Sequence, residues 1–335
     1  MKNYHIPIFV PHKGCPHDCV FCNQRQITGQ TSDVTGEDVD RIINEYLPTL
    51  DKNSYTEAAF FGGSFTGIEI EKQTELLAAA YPYVVSGEIQ GIRCSTRADY
   101  ISEEILDNLK RFGTTTVELG VQSTDDEVLT KSRRGHSFDD VVRASELIKS
   151  YGIKLGVQMM LGLPGDTREK MLKTARDLIE LKPECVRIYP TLVVKDTALW
   201  SMYQKGTYTP LTLEETVDIL SEIIPMFERE NISVIRVGLQ TTDNISEGNV
   251  DGPYHPAIRE LACGRIIRNI LEANISGDVL SVVVSPKRVS ETSGHRRCNK
   301  EYFLKKYSVI LDVKEDKNLT DNEIRINGKV VKITV

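Results

Sequence analysis

A chain of 335 residues, 40% hydrophobic and 27% charged, has room for one large barrel-type domain with an extension or for two ordinary domains, and no apolar run is long enough to span a bilayer. A formal net charge of −7 weighs against a general nucleic-acid-binding surface while leaving local basic patches open. Residues 1–10 lack the long apolar stretch of a secretory leader, so a cytoplasmic location is expected, and seven cysteines with three crowded near the start argue for a metal or redox site, not a disulfide framework.

In chain order, strand-like runs over 5–10, 57–61, 89–94, 116–119, 154–160 and 185–189 alternate with amphipathic stretches, the mark of a parallel α/β architecture built from six units. Val39, Ile42, Ile43 and Leu47 recur at helical spacing over 37–47, as do Val141, Val142, Leu147 and Ile148 over 139–149. Ser102 and Ser137, each followed by acidic residues, predict helix N-termini. Beyond 189 the pattern changes to a loop, a helix over 213–230 and a last barrel-type run over 232–237. A Gly/Asn/Pro-rich stretch over 244–256 then leads into a helix over 256–273 and a strand over 279–284. Strands are expected over 307–313 and 323–335, the last pair turned by Asn327-Gly328.

The segment Gly14-Cys-Pro-His-Asp-Cys-Val-Phe-Cys-Asn23 follows the first strand directly and so lies at the C-terminal edge where β/α proteins place their chemistry. Three thiolates of Cys15, Cys19 and Cys22 can ligate three irons of a cubane cluster and leave the fourth open. Structural zinc, with His12 or His17 supplying a nitrogen, is the alternative, although zinc loops usually bring two spaced ligand pairs.

The C-x3-C-x2-C spacing with Phe21 before the third cysteine resembles the signature of the radical S-adenosylmethionine superfamily. That resemblance implies an incomplete (β/α)6 TIM-like barrel with a C-terminal α+β extension. It also implies a 4Fe-4S cluster on Cys15, Cys19 and Cys22, and S-adenosyl-L-methionine chelated through its methionyl amino and carboxylate groups to the open iron, with Phe21 beside the cofactor. Phe60-Phe-Gly-Gly-Ser-Phe65 ends the second strand and resembles the family's Gly-Gly-Glu-like motif, so Gly62, Gly63 and Ser64 take the role of binding the methionyl amino group, with Ser64 in place of the common acid. Val117-Glu-Leu-Gly-Val-Gln122 and Lys131-Ser-Arg-Arg-Gly-His136 resemble the matching segment of the Elongator catalytic subunit and of oxygen-independent coproporphyrinogen dehydrogenase. By that likeness Gln122 meets the ribose and Arg134 the carboxylate of S-adenosylmethionine, roles that suit an amide and a guanidinium. Ser95, in Arg93-Cys-Ser-Thr-Arg-Ala-Asp99, stands where those relatives carry an acid that contacts the cofactor. Leu161-Gly-Leu-Pro-Gly165 and Arg187-Ile-Tyr-Pro-Thr-Leu192 extend the resemblance over 6–238.

Residues 1–238 are therefore read as the partial barrel. Residues 239–335 are read as an extension that covers the barrel mouth and shapes the substrate site, with Ser293-Gly-His-Arg-Arg-Cys298 as a loop able to receive a phosphate or carboxylate. The acetyltransferase domain of the Elongator branch is not visible after 240, and Cys185, Cys263 and Cys298 read as core or incidental thiols. The expected activity is radical modification of an RNA base or a small metabolite, with an electron donor such as flavodoxin or ferredoxin as partner and no membrane. The alternative is a non-catalytic iron–sulfur or zinc scaffold that binds RNA or a protein.

Overall fold

The computed structural model describes residues 3–10, 19–22, 33–239 and 250–333. The first two-thirds alternate strand and helix: β1 (Asn3–Val10), α1 (Gly36–Tyr46), β2 (Tyr55–Gly62), α2 (Ile70–Val85), β3 (Gly91–Thr96), α3 (Glu103–Arg111), β4 (Thr114–Gln122), α4 (Asp126–Lys131), α5 (Phe138–Ser150), β5 (Lys154–Leu161), α6 (Arg168–Glu180) and β6 (Cys185–Pro190). A two-residue strand β7 (Val193–Val194), α7 (Ala198–Gln204), α8 (Leu213–Arg229) and β8 (Ser233–Val237) follow. β1 to β6 and then β8 lie side by side, every neighbouring pair parallel, so the sheet has seven strands and the run over 232–237 closes it as the last. This is the curled, incomplete TIM-like barrel that six units and a final strand imply.

Period-two alternation sets the two faces of that sheet. Ile6, Ile8, Val117, Leu119, Val157, Met159, Val186 and Ile188 turn outward and are buried under the helices in one continuous apolar core. The helices begin where side-chain oxygens relieve their free N–H groups. Ser137 forms a capping box with Asp140, Ser102 accepts from the Ile105 amide, and Thr35 and Thr212 form further boxes with Asp38 and Glu215.

The chain continues through β9 (Val250–Asp251), α9 (Ile258–Glu272), β10 (Val279–Val284), α10 (Val289–Ser293), α11 (Cys298–Tyr307), β11 (Ile310–Glu315), β12 (Glu323–Ile326) and β13 (Lys329–Lys332). β9 pairs with β7 at the C-terminal edge of the barrel, and the last four strands form a second sheet in the order β11-β10-β12-β13. Asn327 and Gly328 both take positive φ, 47° and 86°, as a tight hairpin of this kind requires. α9 serves two cores: Ile258, Ala262 and Ile266 pack into the barrel's apolar layer, while Ile267 and Leu271 join Leu280, Val282, Phe303 and Ile324 beneath the small sheet.

Candidate active site

Of the three cysteines read as cluster ligands, Cys15 lies outside the described residues; Cys19 and Cys22 sit on one turn closed by the Cys22 amide donating to the Cys19 carbonyl over 2.9 Å. Backbone bonds fix the turn from both sides. The Val20 amide donates to the Ser132 carbonyl after α4, and the Leu199 amide of α7 donates to the Val20 carbonyl at 2.7 Å. Val20 is buried with Val193, Leu199 and Tyr208, and Phe21 packs against this small apolar cluster. The aromatic before the third cysteine thus anchors the turn, which is a steric reason for its presence beside any role towards a cofactor.

β1 and β2 deliver the next elements. Gly62 has φ 124° and lies so near Val10 that a Cβ would fall 2.1 Å from the Val10 carbonyl oxygen, so no other residue fits there without moving a strand end. Gly63 follows, its amide 3.4 Å from that same oxygen. Ser64 is buried, and its hydroxyl meets Thr96 Oγ1 at 2.8 Å and accepts from the Arg97 amide at 3.3 Å. Its side chain therefore ties the ends of β2 and β3 together, where the sequence reading has it among the cofactor contacts. Ser95 points to the inner face and accepts from Gln158 Nε2 over 3.2 Å.

Gln122 and Arg134 come together at the end of β4. A register shift between Gly120 and Gln122 re-aims the strand's last residues, and Gln122 holds φ 73°, an unusual conformation for a side chain with a Cβ. Arg134 is 5% exposed, donates through Nη1 to Cys19 Sγ over 3.3 Å and through Nη2 to the Gly120 carbonyl. Its neighbour Arg133 is exposed, so adjacent arginines in one basic run have different fates. A Cβ on Gly120 would stand 3.1 Å from Gln122 Nε2 and 3.5 Å from Arg134 Nη2, which places both side chains over one glycine. Gln122 Oε1 and Arg134 Nε are buried with no hydrogen-bond partner among the described residues. Such groups are costly to leave unmet, so they mark a place for a polar ligand. Arg97, which sequence reasoning passed over, donates to the Arg134 carbonyl at 2.6 Å and so holds that loop.

The inner face carries a second feature missed in sequence, although its signal is there: charged residues at alternate positions of strands. Glu118 is fully buried. It receives Arg93 Nη1 at 2.7 Å and both Nε and Nη2 of Arg187, at 2.5 and 3.1 Å. Arg93 Nε reaches Glu57 at 2.7 Å, His5 Nε2 lies 3.6 Å from the same carboxylate, and the Arg187 guanidinium stands 5.0 Å over the Phe61 ring. Burial works to raise the Glu118 carboxyl, but Arg187 and Arg93 hold it below the usual carboxylate range. Burial, helped by Arg93 and Arg187, pushes His5 down to about 4, so it is neutral at physiological pH. Where many barrels fill this space with branched apolar side chains, an ionic layer forms the floor beneath the C-terminal edge.

Cys94, Cys185 and Cys263 are buried apart from one another, and burial raises all three thiols, Cys185 and Cys263 to about 11. No group of three or more metal-ligating side chains forms among the described residues. The Gly162–Asp166 turn borders a cavity of about 400 Å3 with Lys131, Met202 and Tyr208. His295 meets His255 edge-on at 5.5 Å between ring centres, and Arg296 and Arg297 both hold left-handed φ, 52° and 66°. No described helix is long and apolar enough to cross a membrane.

Comparison with known proteins places this arrangement. The profile of the Radical SAM superfamily matches residues 9–178, and that of the Radical_SAM C-terminal domain matches 183–268. The tRNA uridine(34) acetyltransferase of Methanocaldococcus infernus is 33% identical over 196 residues, 52% of this chain and 37% of that protein. An uncharacterized protein of Methanocaldococcus jannaschii is 30% identical over 237 residues, 67% of this chain and 71% of its own. The solved structure of the archaeal Methanocaldococcus infernus Elp3 with an N-terminal deletion superposes with a TM-score of 0.61 at 19% identity, covering 98% of this chain and 76% of that one, a likeness of fold. The chain spans between 26% and 51% of the length of the three tRNA uridine(34) acetyltransferases it matches.

Proposed function

The chain belongs to the radical SAM superfamily, and from that premise we propose that it is an enzyme that reductively cleaves S-adenosylmethionine at a 4Fe-4S cluster on Cys15, Cys19 and Cys22 and uses the product radical to modify a substrate. Cys15, Cys19 and Cys22 would hold the cluster, which would relay one electron from a donor such as flavodoxin or ferredoxin to S-adenosylmethionine and so would supply the radical chemistry that takes a hydrogen atom from the substrate. The observation that carries this reading is the pair of orphaned buried atoms, Gln122 Oε1 and Arg134 Nε, beside the Cys19 sulfur. The donor set fits the two groups: two cysteines on one anchored turn, a guanidinium beside one of their sulfurs, and a strand end that tolerates only glycine.

Arg134 grips the cofactor carboxylate while it stands beside Cys19, and Gln122 Oε1 accepts from a ribose hydroxyl. Gly62 and Gly63 let the β2 backbone approach the methionyl amino group with no side chain between. Phe21 holds the cysteine turn against the apolar cluster under α7, and Ser64 and Ser95 brace the rim from β2 and β3. Residues 239–335 act as the cover of the barrel mouth, a reading supported by β9 pairing with β7 at the C-terminal edge. The substrate is an RNA base or a small metabolite; the likeness to tRNA uridine(34) acetyltransferases favours the former.

The test is anaerobic: reconstituted, reduced protein incubated with S-adenosylmethionine is expected to release 5′-deoxyadenosine, read by mass spectrometry. Stoichiometric zinc with no iron uptake and no cleavage would instead support a scaffold.

A further inference from the structure

The ionic layer around Glu118 lies on the inner face of the sheet, and a molecule entering from the C-terminal edge meets the side chains towards the strand ends first. Two of these lie at the ends of the last strands and take no part in the floor's carboxylate pairs. Tyr189 follows Arg187 by two positions on β6, on the same face, so its hydroxyl lies beside the Arg187 guanidinium. Arg236 on β8 is the register partner of Arg187, so it shares that inner face. Its Nε donates to the Gly238 carbonyl over 3.2 Å, which turns the guanidinium towards the C-terminal edge.

Charge does not balance here. Arg93, Arg187 and Arg236 supply three positive charges to the lumen, and Glu57 and Glu118 supply two negative ones. His5 is neutral. The excess is one positive charge, and it falls on Arg236: Arg93 and Arg187 each hold a carboxylate at 2.7 Å or less, whereas none of the described carboxylates pairs with Arg236. A half-buried guanidinium that has no carboxylate partner among the described residues is electrostatically incomplete within them, and an incoming anion completes it. Tyr189 has the matching chemistry, since a phenol on this face beside Arg187 can donate its O–H to an anion.

We infer that Arg236 and Tyr189 form an anion-binding subsite at the β6–β8 side of the lumen, which receives a carboxylate or phosphoryl oxygen of the substrate. The inference rests on the reading of the lumen as the substrate chamber and sharpens it: the substrate carries a negative group on the side facing β8. An anion there sits opposite β1 and β2, where the cofactor's amino group is proposed to lie, so the subsite would orient the substrate across the barrel.

The experiment uses inorganic phosphate and acetate as separate calorimetric probes of the full chain, cluster-loaded and in the presence of S-adenosylmethionine. The wild type should bind at least one anion; the tighter arm identifies whether the group is phosphoryl or carboxylate. Arg236→Gln should weaken that anion about tenfold, and Tyr189→Phe about threefold, as lost charged and neutral hydrogen bonds do. Arg236→Lys, which keeps the charge but not the fork, should retain more of the affinity than Arg236→Gln and so shows that the lumen is still folded. Equal affinity in wild type and Arg236→Gln, or no binding of either anion to wild type, overturns the inference. Cleavage of S-adenosylmethionine, measured on the same wild-type preparation, reports separately on the proposed activity: its absence would count against that activity and not against the subsite.

Discussion

The Arg134 guanidinium donates to the Cys19 sulfur across 3.3 Å, joining positions 115 residues apart in the chain. The cysteine turn and the end of β4 are thereby one structure, and the cofactor contacts proposed for Gln122 and Arg134 can be separated by experiment from cluster binding.

Gln122→Ala and Arg134→Ala should each weaken S-adenosylmethionine binding while iron and sulfide content stay at the wild-type level, the arginine by about 2 kcal/mol or more because a charge-assisted contact is lost. Equilibrium binding of the cofactor to reconstituted protein checks this. Wild-type affinity in both variants would remove these two residues from the cofactor site.

Replacing Cys15, Cys19 or Cys22 with Ala should abolish the cluster, whereas reconstituted wild type should carry about four irons and four sulfides per chain, since three thiolates fill three cubane corners. Cys94→Ala and Cys263→Ala, both at buried positions, should leave iron content unchanged. Metal and sulfide analysis decides between these outcomes.

Glu118→Gln should destabilise the fold by about 3–5 kcal/mol, because Arg93 and Arg187 would be left buried without the carboxylate they share. Denaturant unfolding measures it. A loss below about 1 kcal/mol would mean that water or movement of the arginines relieves the buried charge.

His5 gives the fold a pH dependence with a definite sign. Its folded pKa lies at about 4, below the ordinary 6.5, so between these values the unfolded chain binds the proton and the folded chain does not. Its contribution is therefore complete above pH 6.5 and is lost as pH falls towards 4, with a slope of about 1.4 kcal/mol per pH unit at most. His5→Gln should flatten the unfolding free energy across that window; an unchanged profile would assign the slope to other groups.

Arg296→Gly should raise stability by about 1 kcal/mol, because a left-handed φ of 52° is free for glycine and strained for arginine. Thermal unfolding reads this directly. A fall in stability would show that the side chain makes contacts that outweigh its backbone strain.

Much of this was legible before any coordinate. Alternating apolar runs and amphipathic stretches mark the strands and helices because a helix or strand must bury one face, and Ser137 and Asn327-Gly328 mark a cap and a hairpin because their local chemistry suits nothing else as well. The third strand shows the limit: its apolar run begins at Ile89, yet β3 starts at Gly91, because Ile89 is buried ahead of the ladder. The crowding of Cys15, Cys19 and Cys22 is likewise visible through short-range spacing alone, and it carries the proposal of metal chemistry.

Other features needed the tertiary structure, since they join residues distant in the chain. Arg133 and Arg134 are equivalent as letters; only the packing of their loop against Cys19 and Gly120 buries one and exposes the other. Ser64 reads as a rim residue beside two glycines, but Thr96 and the Arg97 amide, more than thirty positions on, claim its hydroxyl. Glu57, Arg93, Glu118 and Arg187 stand on four different strands, and nothing local says that they meet. Strand order and register bring them to one level of the barrel, and burial there makes their pairing obligatory. The sequence by itself determined the alternation of strands and helices in the barrel and the crowding of three thiols near the start, because those follow from periodicity and spacing. The tertiary structure decided which charges neutralise one another and that Arg236 has no carboxylate partner among the described residues, because that balance depends on distances through space.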